Sequence, residues 1–362
     1  MALENLPSSS RKGVSPIRVA IVGTGGMGHA HARSFQSIPH CKLVAACDIH
    51  AAHLAAFAEK YGIPETYATV EEMLQKSRVD AVSVVTPDAM HAPVSIACLK
   101  AGKHVLCEKP LAVDYPEARK MVAAAKKAGT VNMVNFTYRN HPPIHVMAEM
   151  VQKGKIGRIL HVEASYLQSW LVGNAWGEWR ISPTWLWRLS SRHGSKGALG
   201  DIGVHIIDFA TYPAGPIKKV YCSLLNYRKA PRNRIGEYVL DANDAATMNV
   251  VFANGATGCI QTSRFTGGHL NRIFLRLVGE KGTLEFDSEH STDHFRICTG
   301  PDLNRNLFKE VKARKVPNNH ARFIQAIRTG QPFKPDFARG AEVQKVLDRS
   351  FASAEADRPL MV

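Results

Sequence analysis

A short apolar run, Ile17-Arg18-Val19-Ala20-Ile21-Val22, passes directly into Gly23-Thr24-Gly25-Gly26-Met27-Gly28 and then into a helical stretch from His29 to Ile38. This junction restricts the fold more than any other part of the chain. In a G-x-G-x-x-G pattern between a strand and a helix, the first Gly makes a tight turn. The second lets a pyrophosphate approach the backbone, and the third packs helix on strand. The helix N-terminus adds unpaired N–H groups and a partial positive charge. The next apolar run, Leu43 to Cys47, ends in Asp48, twenty residues past Gly28. An acid there accepts hydrogen bonds from the adenosine ribose and repels a 2′-phosphate, and it is followed by Ile49 and His50 rather than by Arg or Lys. The sequence therefore predicts a dinucleotide site with NAD preferred over NADP, formed by Gly23, Gly25, Gly26, Met27, Gly28 and Asp48.

The alternation continues. Helical stretches at 51–61, 70–75, 91–101 and 115–128 separate apolar runs at 79–85, 104–107 and 131–134. Near-continuous apolar strands between helices imply a parallel, doubly wound sheet, so the chain is read as α/β. Ligand contacts in such sheets come from loops at the carboxyl ends of strands. Thr86-Pro87 and Glu108-Lys109-Pro110 are such loops, which directs Thr86, Pro87, Glu108 and Lys109 towards the cofactor crevice.

A second concentration of chemistry lies at Gly197-Ala198-Leu199-Gly200-Asp201-Ile202-Gly203-Val204-His205-Ile206-Ile207-Asp208. On a helix, Asp201, His205 and Asp208 share one face, while Leu199, Ile202, Ile206 and Phe209 bury the other. Three readings of the charged stripe compete: a pair of metal ligands, an acid/base pair, or a His satisfied inside a core.

Composition excludes several classes. The chain has 362 residues, 45% hydrophobic and 21% charged, enough for two globular domains. No apolar run is long enough to span a membrane. Residues 1–16 are polar and Ser-rich and read as a flexible tail without a signal core. Seven cysteines, odd in number and without a C-x-x-C pair, point to reduced thiols in a cytoplasmic protein and away from a zinc site. The net charge of +15 is concentrated in turn-rich segments, Tyr227 to Arg234 and Lys312 to Lys315, which read as solvated loops; no nucleic-acid-reading motif accompanies them.

Taken in order, the Gly23–Gly28 loop, Asp48, Thr86-Pro87 with His91, Glu108-Lys109-Pro110 and the Asp201-x-Gly203-x-His205 spacing resemble the Gfo/Idh/MocA oxidoreductases, from Ile17 almost to the C-terminus. The resemblance implies that His91 and Lys109 join the cofactor contacts and that Lys109 touches the reacting hydroxyl. It also implies a cis Lys109–Pro110 peptide and an Asn/Arg-bearing crossover after the nucleotide domain, with Tyr138 and Arg139 as substrate contacts. The expected division is a tail at 1–16, a Rossmann domain at 17–137 and an α+β domain at 138–362. The second domain would carry a large, mainly antiparallel open sheet, built from runs at 159–168, 218–226, 245–252, 257–263, 272–279 and 282–286, with Asn254-Gly255 as a hairpin turn. By the same resemblance, that sheet carries a homo-oligomeric interface, dimeric or tetrameric.

All five tryptophans fall between residues 170 and 187, with Arg180, Arg188, Arg192 and His193 nearby. Aromatic faces suit the C–H faces of sugars, and Arg suits hydroxyls or an acidic group. Trp176, Arg180, Trp185 and Arg188 are therefore read as a substrate wall. The alternative for each ring is core packing. Gly194-Ser195-Lys196-Gly197 departs from the run of Gly usual in the family before the Asp201 helix, which leaves the loop shape and substrate open. Together these readings predict an NAD-dependent dehydrogenase of a carbohydrate or polyol. His205 is the base, Lys109 holds the reacting oxygen, Asp201 binds substrate and orients the site, and Asp208 stands behind His205. Lys109 and His205 could exchange roles. Two alternatives remain: bound NAD used for redox-neutral glycoside cleavage or epimerisation, and a non-catalytic NAD sensor. A metal enzyme is disfavoured, because no second His or Cys joins the cluster.

Overall fold

A computed structural model describes residues 15–362, so the 1–16 tail reading lies almost entirely outside the described residues. The chain forms two compact units. One takes the chain up to Glu108 together with Ala124–Met133 and His320–Phe333; the other takes Lys109–Ala123, Val134–Asn319 and Lys334–Val362. A single boundary at 137/138 does not describe this. The helix Asn319–Thr329, far along the sequence, contributes Phe323 and Ile324 to the same core as Val19, Ile21, Phe35 and Phe57.

The first unit is built on six strands: β1 Ile17–Val22, β2 Cys41–Cys47, β3 Glu65–Tyr67, β4 Ala81–Val84, β5 His104–Cys107 and β6 Asn132–Val134, in the order β3-β2-β1-β4-β5-β6. The pairings of β1 with β2 and β4, of β2 with β3 and of β4 with β5 are all parallel. Val19, Ala20, Ile21, Val82 and Val84 are fully buried, which is why these strands read as unbroken apolar runs. The two polar residues near β4 each have a task. Asp80 takes a two-point hydrogen bond from the Arg18 guanidinium, and Ser83 Oγ lies 2.7 Å from Nδ1 of buried His31. The strand order reverses at β1/β4, the place where open α/β sheets hold ligands.

The second unit contains a nine-stranded sheet. Its strands are β7 Ile159–Gln168, β8 Ile217–Leu225, β11 Ala245–Phe252, β12 Thr257–Ser263, β13 Asn271–Gly279, β14 Gly282–Asp287, β15 His294–Thr299, β16 Lys309–Lys312 and β17 Leu360–Met361. Their order is β16-β15-β14-β13-β7-β12-β11-β8-β17, and only β7 and β12 pair in parallel. A separate ribbon joins β9 Arg234–Ile235 to β10 Tyr238–Val239. The Asn254-Gly255 turn closes β11 onto β12: Gly255 has φ +89°, and Asn254 Oδ1 accepts from the Ala256 N–H at 3.1 Å. No helix among the described residues is long and apolar enough to cross a membrane.

The basic segment 227–234 is not uniformly solvated. Arg228, Arg232 and Arg234 are exposed, but the Lys229 side chain is buried and paired with buried Asp244. A charge can be buried when an opposite charge meets it there.

Candidate active site

The nucleotide loop has the geometry its glycines require. Gly23 has φ +100°, and a Cβ there would stand 2.5 Å from the Val85 carbonyl oxygen, so the loops after β1 and β4 touch. A Cβ on Gly28 would strike the Gly23 carbonyl, whereas Gly25 and Gly26 face open space. The helix Gly26–Gln36 starts without a side-chain cap, leaving its N–H groups available to a pyrophosphate. Met27 is exposed beside them. This donor set and its clearance fit a dinucleotide.

Asp48 does more than its spacing indicated. Its Oδ2 accepts from the Thr24 N–H and Oγ1, both at 2.7 Å, and its Oδ1 accepts from the His50 N–H at 2.9 Å. Burial opposes its ionisation, but these hydrogen bonds outweigh it and lower its pKa. Asp48 therefore shapes the glycine loop. Asp48→Ala is expected to weaken NADH binding about tenfold to a hundredfold, the range for lost hydrogen bonds to a charged group, read by quenching of protein fluorescence.

Thr86 and Pro87 lie at the end of β4, as the strand-end reading requires, with Pro87 exposed. His91 and Glu108, both expected at the cofactor, are buried. His91 Nε2 lies 3.0 Å from the Thr86 carbonyl and braces that loop. Glu108 Oε1 lies 2.8 Å from His31 Nε2, and the edge of the His320 ring packs on His31. Burial lowers His320 to about 3, with His31 adding to the effect, so the cluster holds a neutral imidazole.

In the second unit, Lys109 begins with a cis Lys109–Pro110 peptide. Its Nζ donates to the Asp201 main-chain carbonyl and to Asp201 Oδ1, both at 3.0 Å. Asp201 Oδ2 accepts from Arg188 at 3.2 Å and from Arg264 at 2.9 Å. Burial acts against the charge on Asp201, but Lys109, Arg188 and Arg264 together overcome it and hold the carboxyl far below the usual range. Asp201 is thus a fixed anion among three cations. The single α-helix expected here also needs correction. Leu199–Gly203 is a π turn that leads into the α-helix Val204–Ala214, so Asp201 and His205 sit on different helical geometries. Such turns often occur at functional sites. His205 is 7% exposed; its ring meets Tyr138 edge-on at 4.9 Å and lies 6.3 Å from Tyr166. Tyr138 is half-buried, with its hydroxyl against that of Tyr166 and accepting from Asn271 at 3.0 Å.

Two further expectations change. Asp208 does not stand behind His205. It takes a two-point bond from Arg139, at 2.6 and 2.8 Å, and another from Arg339 at 2.8 Å. Arg139 is therefore committed to a buried ion pair and lies 3.5 Å over the Tyr212 ring, which removes it from the substrate contacts. The tryptophan wall divides in the same way. Trp170 and Trp179 belong to a core with Leu171, Leu186, Leu189 and Leu240. Trp176 and Trp185 stack at 5.9 Å and are only partly buried, and Trp187 is exposed. Arg180 is exposed, pairs with Glu178 and lies over the Trp179 ring. Arg264, which binds Asp201 directly, gave no signal in the sequence.

With this geometry in place, known proteins can be compared. Residues 17–136 match the model of an oxidoreductase family with an NAD-binding Rossmann fold, and residues 144–285 match the GFO/IDH/MocA C-terminal domain. The chain belongs to the Gfo/Idh/MocA oxidoreductases. It is 34% identical to D-glucoside 3-dehydrogenase of Escherichia coli, over 94% of this chain and 96% of that one. It is 28% identical to levoglucosan dehydrogenase of Pseudarthrobacter phenanthrenivorans, over 93% and 96%. Among solved structures, levoglucosan dehydrogenase in complex with NADH superposes with a TM-score of 0.84 at 27% identity, covering 96% of this chain and 99% of that one. An oxidoreductase domain protein from Kribbella flavida superposes with a TM-score of 0.86 at 32% identity, covering 96% and 100%.

Proposed function

We propose that this protein is an NAD(H)-dependent dehydrogenase of a secondary alcohol on a sugar, an inositol or an anhydro-sugar, with Lys109, Asp201 and His205 as its working residues. The observation that carries the reading is the Lys109 ammonium held at 3.0 Å by two oxygens of an Asp201 that three cations keep ionised. A cation fixed in this way is prepared to hydrogen-bond an alcohol oxygen and to favour its alkoxide character. His205 takes the hydroxyl proton in oxidation and returns it in reduction, a contribution of about a hundred- to ten-thousand-fold for positioned acid–base groups. Asp201 orients Lys109. The bound dinucleotide supplies the hydride acceptor or donor.

The sugar-like substrate is supported by relatives named for levoglucosan, a D-glucoside and inositol. It is also supported by the partly buried Trp176–Trp185 stack, whose faces suit C–H groups. The test is a screen of sugars, inositols and anhydro-sugars with NAD and NADP, read by absorbance of the reduced nucleotide. Turnover with NAD and little with NADP is expected. Turnover with NADP alone sinks the role of Asp48, and a nucleotide that co-purifies and never exchanges points to redox-neutral use. The free cysteines fit a cytoplasmic setting. A second copy on the sheet is supported by His161, Tyr221, Asn249, Val251 and Cys259, which line one shallow groove across adjacent strands. Light scattering that returns the mass of a single chain rules out the oligomer.

A further inference from the structure

Arg264 follows the last residue of β12, and its side chain has no exposed surface. A buried guanidinium is costly unless its donors are met, and here two of them are. One end donates to Asp201 Oδ2 at 2.9 Å and the other to the Arg188 main-chain carbonyl at 3.0 Å, while the guanidinium lies 5.2 Å from the Trp170 ring. Its own N–H is tied to the Asp244 carbonyl at 3.0 Å. Arg264 is thus anchored on three sides, and the acceptor it presents to is the oxygen of Asp201 that Lys109 does not use. With Arg188 on the same oxygen, Oδ1 and the main-chain carbonyl are left to Lys109.

We propose that Arg264 is a positioning residue for Lys109, acting through Asp201: it fixes the plane of the carboxylate and shares its negative charge. The inference rests on the reading of Lys109 as the group that holds the reacting oxygen. The charged and titratable groups around this centre are Asp201 on the π turn, Arg188 from the tryptophan segment, Arg264 after β12 with the buried Lys229–Asp244 pair beside it, and Tyr138 and Tyr166 with His205 against their rings. Burial raises both phenols, so they stay neutral near pH 7 and add no charge. Lys109 therefore draws on a carboxylate already claimed by two arginines. Like charges disfavour a protonated ammonium, so removal of Arg264 moves the titration of Lys109 to higher pH.

The test uses the full-length enzyme with a substrate identified by the screen. In Arg264→Gln, kcat is expected to fall about tenfold or more, the scale of a lost hydrogen bond to a charged group. The limb of the kcat–pH profile that reports Lys109 should move up by about half a pH unit or more. NADH affinity should stay within about twofold of wild type, as for an independent site. A loss of kcat with an unmoved limb is the signature of a structural role and overturns the proposal. Where Arg264→Gln does not fold, a double-mutant cycle decides. Arg264→Lys keeps the charge but loses the planar fork that reaches both acceptors, and its effect on kcat should nearly vanish in an Asp201→Asn background. Additive losses overturn the proposal. Near-normal turnover in Lys109→Met sinks the Lys109 reading itself. An inactive Lys109→Met with an additive cycle leaves that reading intact and removes Arg264 from it.

Discussion

Lys109→Met is expected to lower turnover at least about a thousandfold, the combined scale of a lost acid–base partner and a lost donor to a developing oxyanion. The protein should remain folded and still bind NADH. The substitution keeps the length of a mostly buried side chain and removes only its ammonium. Asp201 still meets Arg188 and Arg264 afterwards, so no uncompensated buried charge is left behind. The residues that fit the dinucleotide, from Gly23 to Gly28 and Asp48, all belong to the other compact unit. Stopped-flow transients under single-turnover conditions check the chemical step, and fluorescence titration with NADH checks the cofactor. Turnover above one tenth of wild type refutes the role. The pH profile carries a further expectation. Because its neighbours hold Asp201 far below the usual carboxylate range, it is ionised throughout the working range and contributes no acid limb above about pH 4. An acid limb that disappears in Asp201→Asn and persists in both Lys109 and His205 variants contradicts that assignment.

Local rules made much of this chain legible. The glycine loop, Asp48 and the alternation of buried strands with helices depend on near neighbours, and the parallel, doubly wound sheet is legible in them; its strand order is a finding of the structure. What escaped depends on partners far apart in sequence. Asp208 looked like a companion of His205 because it lies three residues further along the helix, but its true partners are 69 residues before it and 131 after it. Arg264 is a single charged residue after a strand, with no period or motif to mark it, and only the fold brings it to Asp201 across 63 residues. The π turn is invisible for a different reason: a stripe at i and i+4 looks alike whether the local helix is α or π. The tryptophans were ambiguous by composition alone, since a large ring serves a core and a binding face equally well, and the structure uses them for both. The helix Asn319–Thr329 shows the same limit at the level of the domain, since an apolar stripe says that a helix is buried and not against which sheet.

The largest effect on stability is expected from Asp208→Asn. Asp208 and Arg139 are each about 2% exposed, and Arg339 is only slightly more so; three elements meet at this carboxylate. They are the helix Val204–Ala214, the short 3₁₀ turn Thr137–Asn140 and the helix Phe337–Ala356. An amide in place of the carboxylate leaves the buried Arg139 guanidinium without its counter-ion and Arg339 with only the exposed Glu342, and breaking a buried pair in this way costs about 3–5 kcal/mol. For a unit of this size that corresponds to a fall in Tm of roughly 10 °C, measurable by calorimetry. The sign of the pH dependence follows from the carboxyl itself. Burial opposes its charge, but Arg139 and Arg339 prevail and hold it at about 2. Its contribution is therefore complete above the ordinary carboxylate pKa and is lost as pH falls from about 4 towards 2. The gap in stability between wild type and Asp208→Asn should narrow over that window and stay constant from pH 5 to 8. If Asp208 instead served His205, the variant would keep its Tm and shift the pH profile of kcat. A variant that melts like wild type thus removes the ion-pair account, and one that melts early with an unshifted kcat profile upholds it.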